Sequence, residues 1–141
     1  MDKLFIDTWG FLCLRDKKEK KHKKINKTFD DLLKQKVRMF TTDYVLDETF
    51  TLFYRRLDSD NALKAVNVLL KLNESNGLVV ERISPRRFED TIELRKKLLD
   101  KPDISFTDLT SMIVMNELGI KHIITGDAHF QHVGFDFQLM L

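Results

Sequence analysis

Short apolar runs alternate along this chain with longer stretches whose apolar residues recur at helical spacing. Lys3 to Ile6 is the first run; it ends at Asp7 and predicts a buried strand. A brief helix follows from about Thr8, carrying Phe11, Leu12 and Leu14. After a Lys-rich stretch, Ile25, Phe29, Leu32 and Leu33 fall at i, i+4, i+7 and i+8, one face of an amphipathic helix. The lysines at its start oppose the helix dipole, so that end is expected to fray or to seek an anion. Val37 to Phe40 predicts a second strand.

Thr41-Thr42-Asp43 offers capping hydroxyls and a carboxylate to the next helix, whose apolar face is Val45, Leu46, Phe50, Leu52, Phe53 and Leu57. Ser59 and Asp60 separate it from another amphipathic helix with Leu63, Val66, Leu69 and Leu70. Asn76-Gly77 ends that helix, and Leu78 to Glu81 predicts a third strand. Ser84-Pro85 reads as N-cap and first helical residue of a segment reaching about Leu99, closed by Pro102. Ser105 to Leu118 predicts a helix stopped by Gly119. Ile120 to Thr125 is the clearest strand; a turn at Gly126-Asp127 and a short strand from Phe135 to Leu139 complete the pattern. Strands alternating with helices imply a parallel sheet covered on both faces, whose ligands gather at the carboxyl ends of the strands.

Composition narrows this picture. At 141 residues, without repeat or linker, the chain reads as a single domain, residues 1–141, with room for a core that needs no staples. No apolar run approaches the roughly 20 residues needed to cross a bilayer, so no membrane role is expected. The N-terminus lacks a signal-peptide pattern, and a cytoplasmic protein is expected. Cys13 is alone, which excludes an internal disulfide and a zinc site built on several cysteines.

The net charge of +2 conceals an asymmetry: Arg15 to Arg38 holds eleven basic and four acidic residues, a local +7, which leaves −5 elsewhere. Such a run is either a solvated helix face or a contact for a phosphate backbone.

The candidate chemistry lies in four carboxylates at element ends: Asp7, Glu48, Asp108 and Asp127. Each has a structural reading of its own. Asp7 suits the N-cap of the helix after it. Glu48, one turn into its helix, suits the helix dipole, as its neighbour Asp47 does, and it shares a flank with Val45 and Leu52 that is expected to face the protein. Asp108 stands three residues after Ser105, as the second member of a capping box. Asp127 suits an Asx turn, and His129 and His132 beside it are expected to bond turn backbone rather than a metal. In a parallel sheet, however, strand ends and helix starts share one edge, so all four acids are brought together. Clustered carboxylates repel unless a hard divalent cation neutralises them, and such a cation engages phosphate.

The order Asp, Glu, Asp, Asp, with FIDT near the start, YVLDET in the middle and SFTDLTSMIVMNELGIKHIITGDAHFQHVGF at the end, resembles the PIN-domain family, and within it the VapC-type ribonuclease toxins. The likeness covers essentially the whole chain. It implies a doubly wound α/β sheet of about five mainly parallel strands with helices on both faces, a three-layer sandwich. It also implies Mg²⁺- or Mn²⁺-dependent hydrolysis of RNA phosphodiester bonds, with Asp7, Glu48, Asp108 and Asp127 as catalytic metal ligands. The resemblance favours Glu48 over Asp47. Thr8 and Thr125 match positions whose hydroxyls support the ligands. Lys17, Lys18, Lys20, Lys21, Lys23 and Lys24 are then expected to attract RNA to an otherwise acidic site. A homodimer, and a cognate antitoxin as partner, are further implications. Gly126 departs from the pattern, since many members carry a larger residue there, and is expected to loosen the turn.

Two other classes compete with this reading. One is a PIN fold that holds RNA or a protein without turnover. The other is a phosphotransfer enzyme of the haloacid-dehalogenase kind, which wants a second Asp two residues after the first; Trp9 stands there instead.

Overall fold

The computed structural model describes residues 1–140; Leu141, the last residue of the expected domain, lies outside the described residues. The chain runs β1 (Lys3–Ile6), α1 (Thr8–Arg15), α2 (His22–Lys34), β2 (Arg38–Thr42), α3 (Asp43–Arg56) and α4 (Ser59–Glu74). It continues with β3 (Val79–Glu81), α5 (Pro85–Lys97), α6 (Phe106–Leu118), β4 (His122–Ile124), a 3-10 turn (Ala128–Gln131) and β5 (Gln138–Leu139). Every strand is thus followed by helix, except the last, which is the pattern that builds a parallel sheet.

The sheet has five strands in the order β3-β2-β1-β4-β5, and all four pairings are parallel. From β1 the chain steps outward to β2 and β3, then returns past β1 to place β4 on its other side. Right-handed crossovers therefore put α1 to α4 on one face and α5 and α6 on the other. Helix packing agrees: α1 packs on α2 and α3, α3 on α4, and α5 on α6. The expected doubly wound architecture is the one observed. Leu4, Phe5 and Ile6 of β1 are fully buried between the layers, together with Ile123 and Ile124 of β4.

Local signals set most boundaries. Thr42 caps α3 by accepting from the Val45 amide at 3.1 Å, and Ser84 caps α5 by accepting from the Arg87 amide at 3.2 Å. The clearest departure is β4, which begins at His122 rather than Ile120. Gly119 adopts a left-handed φ of 68°, its amide bonding the Asn116 carbonyl at 3.3 Å and the Ile120 amide reaching Met115 at 2.8 Å. That pair of bonds is a Schellman cap, so Ile120 finishes the helix instead of opening the strand. β2, conversely, runs on through Thr41 and Thr42, because both pair with β3 opposite Val80 and Glu81.

Two further contacts position the working edge. A Cβ added to Gly10 would lie 2.8 Å from Ile6 Cγ2 and 2.9 Å from Ile124 Cγ2. Glycine there lets α1 sit directly on β1 and β4. Arg87 grips Glu117 of α6 through two bonds of 3.0 and 3.1 Å and Glu81 of β3 at 3.1 Å. This clamp fixes α6, and hence Asp108, against the sheet.

Candidate active site and metal centre

Because β1 and β4 are adjacent and their connections leave in opposite directions, a crevice opens at their carboxyl ends. Asp7 follows β1 and Asp127 lies three residues beyond β4, so topology alone brings these two acids to one place. The Asp7 amide bonds the Ile124 carbonyl at 3.3 Å, which locks the two strand ends together.

Asp7 performs the capping role and more. One of its carboxylate oxygens accepts from the Gly10 amide at 3.1 Å, at the start of α1. Its side chain is nevertheless buried, and burial pushes its carboxyl up to about 7. The Thr125 hydroxyl and the Gly10 and Trp9 amides pull the other way, while the charge of Asp127 adds to the rise. Thr125 itself is fully buried and also accepts from the Asp127 amide at 3.0 Å, so one hydroxyl serves both acids.

The capping box at α6 is only half made. Ser105 accepts from the Asp108 amide at 3.0 Å, but the Asp108 carboxylate turns to Asp127 instead of reaching back to Ser105. Burial pushes the Asp108 carboxyl up to about 8, helped by the approach of the Asp127 carboxyl and by the charges of Asp127, Asp7 and Glu48. Asp108 thus feels each of the other three acids.

Glu48 corrects one expectation. Its flank faces the protein only in part: Val45 is buried and Leu52 half-buried, but Glu48 itself is exposed, and the rest of the buried face of α3 is Leu46, Thr49 and Phe53. Asp47 is exposed too, yet only Glu48 is felt at Asp108. Thr8 supports this side of the site. Its hydroxyl reaches the Val45 carbonyl at 3.4 Å and receives the Thr49 hydroxyl at 3.3 Å, which holds the start of α1 to α3.

Asp127 makes the expected Asx turn, accepting from the His129 amide at 2.8 Å. The His129 ring, however, bonds no backbone. Its buried Nδ1 lies 3.0 Å from Asp127 Oδ1 but has no hydrogen-bond partner among the described residues. Donor atoms of Asp108, Asp127 and His129 all lie within 4.8 Å of one another, a spacing suited to one cation. The expectation that His129 bonds turn backbone is corrected here; the Asp-x-His spacing in a turn is the signal that points to the ring. At Gly126 an added Cβ would meet the Trp9 indole at 2.9 Å, so a larger residue would crowd Trp9 there.

The lysine-rich segment lies elsewhere. It follows the C-terminus of α1, eight residues and about 12 Å along the helix from Asp7. Lys17, Lys18, Lys20, Lys23 and Lys24 are exposed, and Lys21 is half-buried. Lys17 and Lys18 line a cleft of about 710 Å³ with Arg15, Arg56, Asp16 and Asp58, to which none of the four acids contributes. The start of α2 carries no side-chain cap at Lys21, but two side chains tie it to α1: His22 Nδ1 donates to the Cys13 carbonyl at 2.7 Å and Asn26 to the Leu14 carbonyl at 3.2 Å.

No helix among the described residues is long and apolar enough to cross a membrane. Among curated protein sequences no relative matches the chain. Among solved structures it is similar to VapC20 of Mycobacterium tuberculosis, a toxin that cleaves the sarcin-ricin loop, with 27% identity over 94% of this chain and 95% of that one and a TM-score of 0.75. It shares a fold with a chain of VapBC2 from Rickettsia felis, solved bound to a DNA fragment from their promoter, at 15% identity, 98% and 97% coverage and a TM-score of 0.75. The PIN domain model matches residues 4–136. With that match spanning nearly its whole length, and with acids gathered where β1 and β4 part, the chain belongs to the PIN-domain family.

Proposed function

We propose that this protein is a metal-dependent endoribonuclease that hydrolyses RNA phosphodiester bonds, and that it acts as the toxin of a toxin–antitoxin pair. One observation carries the reading: Asp7 and Asp108 are pushed toward neutrality while facing Asp127 and, for Asp108, Glu48. Asp7 and Asp108 in such an arrangement favour their protonated forms near neutral pH unless a cation takes the protons' place. Asp108, Asp127 and His129 have the donor spacing for one, carboxylate oxygens beside a buried ring nitrogen, a group that does not include Asp7 or Glu48. Asp7, Glu48, Asp108 and Asp127 would hold Mg²⁺ or Mn²⁺. When bound, the ion supplies positive charge at the phosphate and lowers the pKa of a water.

The protein's own residues supply the rest. Thr125 holds Asp7 and the Asp127 amide in fixed relation, and Thr8 keeps α1 against the helix that carries Glu48. Glu48 is exposed and Asp127 half-buried, which leaves one side of the cluster open to a phosphate. The likeness to a toxin that cleaves RNA supports RNA as substrate, with a cognate antitoxin as partner. Tyr54, Leu63 and Leu70 are exposed on α3 and α4, an apolar surface that supports homodimerisation. Lys17, Lys18, Lys20, Lys21, Lys23 and Lys24 draw the RNA backbone toward the protein from the far end of α1.

The test is cleavage of a mixed RNA pool with Mg²⁺, with Mn²⁺ and with EDTA, for the wild type and Asp7→Asn. Cleavage is expected only for the wild type with metal. Activity that survives both chelation and the substitution rules out the metal-dependent reading. Binding of RNA with no cleavage under any condition makes the protein a binding module.

A further inference from the structure

We infer that His129 supplies a nitrogen ligand to the cation at this site, beside Asp127 and Asp108, and that this ligand tilts the site toward Mn²⁺ over Mg²⁺. This role rests on the metal-centre reading above and adds a donor that the four acids do not include.

The geometry of the ring points to it. The His129 amide is tied to Asp127 Oδ1 at 2.8 Å, which fixes the start of the 3-10 turn and holds the imidazole against the acid. Nδ1 is buried at 3.0 Å from the same oxygen, yet it is too poorly aligned to form a hydrogen bond. A buried ring nitrogen with no partner is uncommon, because protein interiors pair their polar atoms. The N–O spacing also leaves room for an ion ligated by both. Neighbouring ligands of an octahedral ion at about 2.1 Å lie about 3.0 Å apart, and opposite ligands about 4.2 Å. A tetrahedral zinc site spreads neighbours to roughly 3.4 Å. The observed 3.0 Å matches an octahedral edge, and Asp108 brings a donor atom within 4.8 Å of one donor atom each from Asp127 and His129. One ion there would neutralise the repulsion between Asp108 and Asp127 and occupy the orphaned nitrogen.

Ligand chemistry then bears on the ion. Mg²⁺ and Mn²⁺ share the octahedral habit and both favour oxygen, but Mn²⁺, as a first-row transition ion, accepts one imidazole nitrogen among its oxygens more readily than Mg²⁺ does. His132, three residues on, has no place in this group of donors.

Metal-free protein is titrated with Mn²⁺ and with Mg²⁺ by calorimetry, and the Mn²⁺ form is examined by pulsed electron paramagnetic resonance for nitrogen coupling. The wild type is compared with His129→Asp, which keeps a ligand but replaces nitrogen with oxygen, and with His132→Gln. The His129 side chain is 39% exposed, so the substitution is expected to preserve the fold, as circular dichroism would verify. Imidazole nitrogen coupling is expected in the wild type and in His132→Gln and lost in His129→Asp, with Mn²⁺ still bound. The preference for Mn²⁺ over Mg²⁺ should fall by about tenfold or more, since even outer partners of a ligand carry that much. Mn²⁺ bound without nitrogen coupling in the wild type, or coupling retained in His129→Asp, overturns the role of His129 and leaves the acid site standing. Failure of the wild type to bind either ion overturns the metal centre and this inference with it.

Discussion

Two charged regions of this molecule follow opposite rules. At the carboxyl edge of β1 and β4, few charges are present, but Asp7 is buried and Asp108 half-buried among facing acids, so both depart far from ordinary carboxylates. At the far end of α1, many more charges of one sign are present, but nearly all point into water. Desolvation, and not the number of charges, therefore creates a site that demands a partner. Water screens the lysines at little cost, whereas the acids must keep protons or gain a cation.

The largest expected effect comes from breaking the acid side. Asp7→Asn or Asp108→Asn should lower metal-supported RNA cleavage by about 10²- to 10³-fold, the cost of losing one preorganised charge, as measured in single-turnover assays. The same substitutions should leave the metal-free fold intact at pH 8 or make it more stable, because an amide carries no buried charge. Loss of activity through unfolding would contradict this.

Next comes pH. Both carboxyls are raised well above the roughly 3.9 of an unfolded Asp, so between about pH 4 and 8 the folded chain holds more protons than the unfolded one. Stability of metal-free protein should therefore fall as pH rises through that window, on the order of a few kcal/mol. Denaturant melts at pH 5 and pH 8 measure this. Adding Mn²⁺ or Mg²⁺ should reverse the trend at pH 8, by the mass action of an ion that binds only the folded chain.

Gly10→Ala tests the packing that holds α1 at the site. With methyl groups at 2.8 and 2.9 Å from the new Cβ, a loss of about 1–3 kcal/mol is expected in chemical denaturation. A neutral result would show that α1 is free to shift from the sheet.

The lysine side should respond least in stability. Replacing Lys17, Lys18, Lys20, Lys21, Lys23 and Lys24 with Ser should change folding by no more than about 0.5 kcal/mol per site. RNA affinity should weaken, with the salt slope reduced by about 0.7 for each single-strand phosphate that the lysines no longer neutralise. An unchanged slope would make the segment a solvated face and nothing more.

The acids also show how far the chain can be read in advance. Asp7, Asp108 and Asp127 each have a local explanation; the carboxylates of Asp7 and Asp127 make their local bonds, to the Gly10 and His129 amides, whereas at Asp108 only the Ser105 half of the capping box forms. The distant use of each side chain is not legible, because a carboxylate that caps with one oxygen, as at Asp7 and Asp127, keeps another for a distant neighbour, and one that leaves its cap, as at Asp108, does so for a group far away in sequence. Glu48 illustrates the opposite failure. Helical phase points it inward, but α3 packs through Thr49 and Phe53, and one residue of rotation puts Glu48 in solvent at the rim.

By itself, the sequence determined the succession of strands and helices and the caps at Thr42, Ser84, Ser105 and Gly119. These depend on interactions three to five residues apart, which a linear pattern contains. Only the tertiary structure decided that the chain reverses between β1 and β4, that Asp108 turns to Asp127, and that the His129 ring stands unpartnered beside both. Those outcomes follow from which strands become neighbours and which groups lose water together, and both are set by contacts between parts of the chain far apart in sequence.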